Sequence, residues 1–144
     1  MEAVLQSFLN GFPVLLMHFS VTLLMLVAGA VIYQMITPYN ELDLIRGGNI
    51  AAALSFSGAL VGLALPLAVC MARSLNLWDI IIWGCLTLFI QLIAYRIGDA
   101  LLKDLPKRIE NGELSAATTI VGIKLSVAMI NAAAGAGPCG GSRH

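Results

Sequence analysis

Four long apolar runs constrain the fold of this chain more than any other feature. They cover residues 13–36, 50–72, 77–102 and 114–134, and the first two contain no lysine, arginine, aspartate or glutamate. An α-helix rises 1.5 Å per residue, so about 20 residues cross the hydrocarbon core of a bilayer. Because backbone groups in lipid must pair within their own segment, runs of this length are expected to be helical. The sequence predicts an all-α membrane protein with four transmembrane helices.

Composition narrows the range of partners and activities. The chain is 59% hydrophobic and 11% charged, beyond the usage of a soluble domain, so the lipid bilayer is its expected surroundings. Eight basic residues balance eight acidic ones, and without a basic excess no nucleic-acid partner is expected. The chain lacks HExxH, GxSxG and P-loop motifs, and its cysteines lack the spacing of metal ligands. We therefore expect neither an enzyme nor a metal or other cofactor.

The polarity of the terminal segments predicts where they lie, and the distribution of basic residues predicts which way the chain crosses the membrane. Residues 1–12 are expected to lie at the membrane surface as a short interfacial segment. Residues 135–144 are expected to form a flexible tail of low complexity, resembling an appended expression sequence. Basic residues are retained on the cytoplasmic side, and the two longer loops hold most of them, which predicts that both termini are periplasmic. These loop residues are Arg46, Lys103, Lys107 and Arg108.

An internal repeat appears when the chain is shifted against itself by 64 residues. The stretch that begins at Gly48 then aligns with the stretch that begins at Gly112. Small residues coincide on one helical face in both, and such residues let helices approach closely in lipid, although helices rich in Ala and Gly also show small pairs by chance. The alignment predicts two tandem two-helix repeats in parallel orientation, residues 13–73 and 77–134. The predicted packing seam comprises Ala51, Ser55, Gly58 and Gly62, then Ser115, Thr119, Gly122 and Ser126.

Polar residues deep in the spans are the candidate functional site. Lys124 lies ~15 Å along its helix, where a charge costs about 3 kcal/mol. Gln91 lies at similar depth and could satisfy part of the ammonium, while His18 and Asn131 lie toward the termini side. These four residues suggest an ion, anion or proton site. The alternative is a lysine that snorkels to the interface or caps a carbonyl, with a neutral, hydrogen-bonded histidine.

The chain resembles a known family of membrane proteins at several of these positions. The resemblance rests on Tyr33 and Tyr95 near the ends of the odd spans, on the Gly48–Asn49 pair, and on the small residues Gly58 and Gly122. It is similar to the YjfL-like (UPF0719-type) bacterial inner-membrane proteins, built from tandem copies of a two-helix module called domain of unknown function 350. Glu113 departs from the pattern, standing where Asn49 would repeat. The resemblance implies a small multipass protein of the bacterial inner membrane, and it carries over no biochemical activity.

Two hypotheses for function remain open. The first is a structural or interaction subunit whose helices pack into a homo-oligomer or against another membrane protein. The second is a small ion or proton channel or transporter that uses Lys124 and its polar neighbours. The acidic residues, Glu41 among them, are assigned to solvated loops, so no second charge is expected near Lys124. Since a lone charge has nothing to couple with, the sequence favours the structural subunit.

Overall fold

The computed structural model describes residues 1–137, which form six α-helices and no strand. The helices are α1 (Glu2–Ile36), α2 (Glu41–Arg46), α3 (Ile50–Arg73), α4 (Leu77–Leu101), α5 (Leu105–Glu110) and α6 (Leu114–Gly135). Helices α1, α3, α4 and α6 are long and apolar enough to cross a membrane. The predicted all-α fold with four spans is confirmed. Most of the predicted tail, residues 138–144, lies outside the described residues.

The first helix is longer than the sequence indicated. We expected residues 1–12 to lie apart at the membrane surface, but α1 begins at Glu2 and continues for 35 residues. Pro13 lies inside it. Proline removes one backbone donor, while the flanking residues are mostly fair helix formers, so the helix continues through it. At 1.5 Å per residue α1 is ~52 Å long, against ~36 Å for α3.

The two polar connections contain short helices that the sequence did not predict. Helices α2 and α5 each have six residues and end in the same way. Gly48 and Gly112 adopt positive φ values of 86° and 78°, and their amides donate to the carbonyls of Ile45 and Ile109. This is the glycine-closed end known as a Schellman motif. The order long helix, short helix, glycine turn, long helix therefore occurs twice, while the tandem repeat itself stays a prediction.

Asn49 joins the two connections. Its side-chain oxygen accepts from the amide of Ala52 and caps α3 at 3.0 Å. Its Nδ2 group donates to the carbonyls of Ile109 and Glu110, at the end of α5. The corresponding residue Glu113 instead binds Arg108 on the surface, and this hydrogen bond, with a second from Ser115, lowers the pKa of Glu113 to about 2. At this position the first connection therefore has an asparagine that bonds to the second connection, whereas the second connection has an ion pair within itself.

Two buried clusters form the interior of the bundle. One lies among α1, α3 and α4, and the other lies nearer the connections, among α3, α5 and α6. Helix α3 is central, because its buried residues run its whole length. Within it, the predicted seam residues Ala51, Ser55, Gly58 and Gly62 are all buried. A Cβ atom on Gly58 would lie 2.6 Å from Val121 of α6, so the small residue permits this approach.

The seam predicted for α6 is wrong within this chain. Ser115, Thr119, Gly122 and Ser126 are exposed, and a Cβ atom on Gly122 would meet nothing within 4 Å. The buried face of α6 carries Ala116, Ile120, Lys124, Ala128 and Ala132 instead. At 100° per residue this buried face is centred about 170° from the predicted one, on the opposite side of the helix. Both faces carry small residues at helical spacing, so spacing alone did not distinguish them.

Two identical substitutions test this orientation of α6. Gly62→Ala would place a methyl group on the Tyr95 hydroxyl, and such overpacking costs about 1–3 kcal/mol. In Gly122→Ala the added methyl group meets open space, and the higher helix propensity of alanine stabilises the fold by up to about 1 kcal/mol. We expect thermal unfolding in detergent to shift down for the first variant and to stay or rise for the second. Equal destabilisation by both would contradict the orientation of α6.

Candidate functional site

Lys124 lies in the interior of the bundle. It is the eleventh residue of the 22-residue α6 and is 1% exposed. Side chains on a helix tilt toward its N-terminus, and the N-terminus of α6 follows α5. The lysine side chain therefore extends from the middle of the span toward the connections. There it reaches residues from three other elements.

The Lys124 ammonium is bound by two hydroxyl groups. Its Nζ atom lies 2.7 Å from the Tyr33 hydroxyl of α1 and 3.5 Å from the Ser55 hydroxyl of α3. Both hydroxyls donate onward to the same oxygen, Glu41 Oε1, at 3.0 and 3.1 Å. The ammonium and the carboxylate are thus joined through single bridging hydroxyls. Three elements supply the partners that α6 needs to bury a charge.

Glu41 is the second charge that the sequence interpretation missed. It is the first residue of α2, outside the spans, yet it is fully buried. Tyr39 donates to the same Oε1 atom, and Gln34 donates to Oε2. Burial raises the pKa of the Glu41 carboxyl, while Lys124 and the donated hydrogen bonds oppose that rise. The expectation of a solvated loop carboxylate was therefore wrong.

Aromatic rings enclose the ammonium on two sides. Lys124 Nζ lies 4.7 Å from the centroid of Tyr33 and 5.3 Å from that of Tyr95. The two rings meet edge to face. Tyr95 donates its hydroxyl to the carbonyl of Ala59, which holds its ring in place. Because Nζ also lies 2.7 Å from the Tyr33 hydroxyl, it meets that ring at its oxygen edge, so the hydrogen bond and not the ring face stabilises the ammonium there.

A second group of hydrogen bonds continues from the backbone of Lys124 toward the termini side. Gln91 was expected to satisfy part of the ammonium, but its Nε2 group donates to the Lys124 carbonyl at 3.3 Å. Asn131 donates to Gln91 Oε1 at 3.0 Å and to the carbonyl of Thr87 at 2.9 Å. The structure thus brings together Lys124, Gln91 and Asn131, three of the four candidate residues.

His18 does not join them. It lies half-buried on α1, where its carbonyl accepts from Thr22, and it lines a separate groove with Phe19 and Met71. The residues absent from the predicted polar site are Glu41, Tyr33, Ser55, Tyr39 and Gln34. One signal in the sequence could have identified Glu41. A lysine buried in a span requires a hydrogen-bond acceptor or counter-charge, and Glu41 is the first acidic residue after α1.

The bonded chain of ammonium, phenol and carboxylate permits one simple chemical step. Tyr33 can pass its proton to Glu41 while it receives one from Lys124. The result is a neutral amine and a neutral carboxylic acid, with the phenol unchanged. Among residues 1–137, no group of three or more His, Cys, Asp or Glu side chains could hold a metal ion.

The four spans and the buried polar residues between them define a polytopic membrane protein. The chain belongs to the family described as Domain of Unknown Function (DUF350), whose sequence profile matches residues 7–134. It is similar to the UPF0719 inner membrane protein YjfL of Escherichia coli K12, with 32% identity over 116 residues. The match covers 81% of this chain and 88% of the relative, and the same protein of strain O157:H7 matches equally. No solved structure matches the chain.

A double-mutant cycle tests whether Lys124 and Glu41 stabilise each other. Lys124→Met alone leaves a buried carboxylate without its cation, and such a loss costs about 3–5 kcal/mol. Glu41→Gln alone leaves the ammonium with neutral hydrogen-bond partners and with the more distant carboxyl group of Asp99. We expect the double variant to lose less stability than the sum of the two, by roughly 1–3 kcal/mol, in denaturant unfolding in detergent.

The control is a second cycle in which Lys124→Met is combined with Ser57→Ala instead of Glu41→Gln. Ser57 is exposed on α3 and bonds only to the carbonyl of Ala53, so its effect should add to that of Lys124→Met. Strict additivity for the Lys124 and Glu41 pair as well would show that the two charges are not coupled.

Proposed function

We propose that the protein transfers protons through the bilayer, with Lys124, Tyr33 and Glu41 as its central relay. The observation that carries this proposal is the buried ammonium bonded through one phenol hydroxyl to a buried carboxylate. Ionisable groups inside membrane proteins are costly and most often mark an ion or proton pathway. The sequence favoured a structural subunit because it offered Lys124 no second charge, and Glu41 removes that reason.

The position of Glu41 supports a connection to one side of the membrane. The carboxylate belongs to α2, which lies outside the spans, and its Oε2 atom accepts a hydrogen bond from the half-buried Gln34 side chain. Burial raises the pKa of Glu41, which brings protonation of the carboxyl closer to neutral pH. Once Lys124 has released a proton and is a neutral amine, a proton that enters at Glu41 can reach it through Tyr33 without an intervening water.

The other half of the path is closed in this conformation. Gln91 and Asn131 follow Lys124 toward the termini side, and amide groups hold hydrogen bonds without carrying an excess proton. Lys124 itself is 1% exposed, so no open pore leads to it. Transfer across the bilayer therefore requires a second conformation in which α6 exposes Lys124 to the termini side, as in alternating access.

Purified protein in liposomes that contain a pH-sensitive dye tests the proposal. A potassium diffusion potential drives protons, and the parent protein should acidify or alkalinise the lumen according to its sign. Lys124→Met and Glu41→Gln should each lower the rate by roughly tenfold or more, because each removes a group that takes the proton. Tyr33→Phe should do the same, since it removes the bridge.

Ser57→Ala is the matched control, because it removes a hydroxyl from α3 that lies outside the relay. Its rate should equal that of the parent. Absence of dye response in the parent protein under either sign of the potential would refute proton transfer. Equal rates for the parent and Glu41→Gln would remove Glu41 from the path.

We propose as a second candidate that the chain forms a homo-oligomer in the membrane. The specific observation is that Ser115, Thr119, Gly122 and Ser126 are exposed on one face of α6, and that among the described residues a Cβ atom on Gly122 would meet nothing within 4 Å. Small residues on a lipid-facing surface leave room for the backbone of another helix. The similar YjfL proteins are named for the inner membrane, and we propose the same membrane here, with both termini periplasmic.

Cross-linking in vesicles at increasing dilution tests the oligomer. Gly122→Leu should lower the yield of cross-linked product severalfold, because the added side chain fills the space for a partner helix. Ile130→Leu, a change of equal volume at another exposed position of α6, should leave the yield unchanged. A chain that stays monomeric at every protein-to-lipid ratio would exclude this candidate.

A further inference from the structure

A lipid-facing groove runs between α1 and α4 at the end nearest the connections. It has a volume of about 460 Å³ and is lined by Ile32 and Ile36 from α1 and by Phe89, Ile93, Arg96 and Ile97 from α4. From Phe89 to Ile97 the lining extends ~12 Å along the helix. The walls are apolar except for one arginine. The groove therefore has the shape and polarity of an acyl-chain site with a cation near one end.

The Arg96 guanidinium lies near the carboxyl group of Asp99, which attracts it electrostatically. It is exposed and forms no hydrogen bond or ion pair with residues 1–137. Asp99, three residues on, is half-buried, and it is too far from Arg96 to form an ion pair or to occupy its donors. A guanidinium group has five donors that match a phosphate in paired geometry, so all of them remain for an outside ligand.

The depth of Arg96 fits a phospholipid headgroup. It lies five residues before the end of α4 at Leu101, ~7.5 Å inside the helix end, and a long side chain there extends to the interface. Lys103, just beyond the helix, is exposed and adds a second positive charge at this level. Basic sites between spans on this side of a membrane bind anionic headgroups.

A comparison within the molecule shows that the charge is particular to this groove. A larger groove of about 680 Å³ lies between α1 and α3, and its lining contains no charged side chain. Any lipid could fill that surface through its acyl chains alone. The groove beside Arg96 joins an apolar channel to an arginine whose donors are not used by any described residue.

We propose that the groove between α1 and α4 binds one anionic phospholipid, with an acyl chain along Phe89, Ile93 and Ile97 and the phosphate on Arg96. This site is separate from the relay of Lys124 and Glu41, so it does not depend on proton transfer. The bound lipid would lie against both α1 and α4 and join them at the membrane surface.

Native mass spectrometry of the purified chain tests the proposal. The protein is incubated with equal amounts of phosphatidylglycerol and phosphatidylcholine that carry identical acyl chains. Phosphatidylglycerol should be retained preferentially, and Arg96→Gln should lower that preference about fivefold, the effect of removing one arginine near an anionic headgroup. Arg96→Lys should keep most of the preference, because it keeps the charge.

Arg73→Gln is the matched control, since Arg73 is an exposed arginine at the last position of α3, outside this groove. It should leave the preference unchanged. Equal effects of Arg73→Gln and Arg96→Gln, or no preference in the parent, would overturn the proposal. Competition by soluble glycerol phosphate as effective as that by the lipid would also overturn it, because the site would then bind a free anion. Circular dichroism and thermal unfolding confirm that each variant is folded.

Discussion

The ammonium of Lys124 must be satisfied inside the bundle, and the other buried features follow from this requirement. A charge in lipid is costly unless it finds partners, and the partners come from α1, the start of α2, and α3. Their common position fixes which face of α6 turns inward. The small residues of α3 then allow α6 to approach closely enough for the lysine to reach them.

Two groups of hydrogen-bonded residues meet at Lys124 and extend from it in opposite directions along the bundle. The Lys124 side chain extends toward the connections and ends at an acid, whereas its carbonyl is bound by amides on the termini side. The first group can exchange protons, and the second holds α4 against α6. Because α2 carries the acid, a helix outside the spans supplies the carboxyl group that the buried lysine reaches through Tyr33.

The sequence predicted the spans well because length and hydropathy decide them locally. Helices α3, α4 and α6 begin where the apolar runs begin and end within one residue of the expected positions. The site was predicted less well. Lys124, Gln91 and Asn131 were found by depth, but Glu41 was assigned to a solvated loop, since its burial depends on contacts with Tyr33 and Ser55. The inward face of α6 depends on the same contacts, so small-residue spacing could not identify it.

The acceptors of the buried ammonium all precede it in the chain. Tyr33, Glu41 and Ser55 belong to the first two spans and their connection, and Lys124 belongs to the last span. Because a chain is synthesised from its N-terminus, the earlier residues enter the membrane first. The lysine that would be expensive to insert alone therefore enters a membrane in which its carboxylate and hydroxyl partners are already present. Insertion of the final span is thereby coupled to the assembly of the first half of the protein.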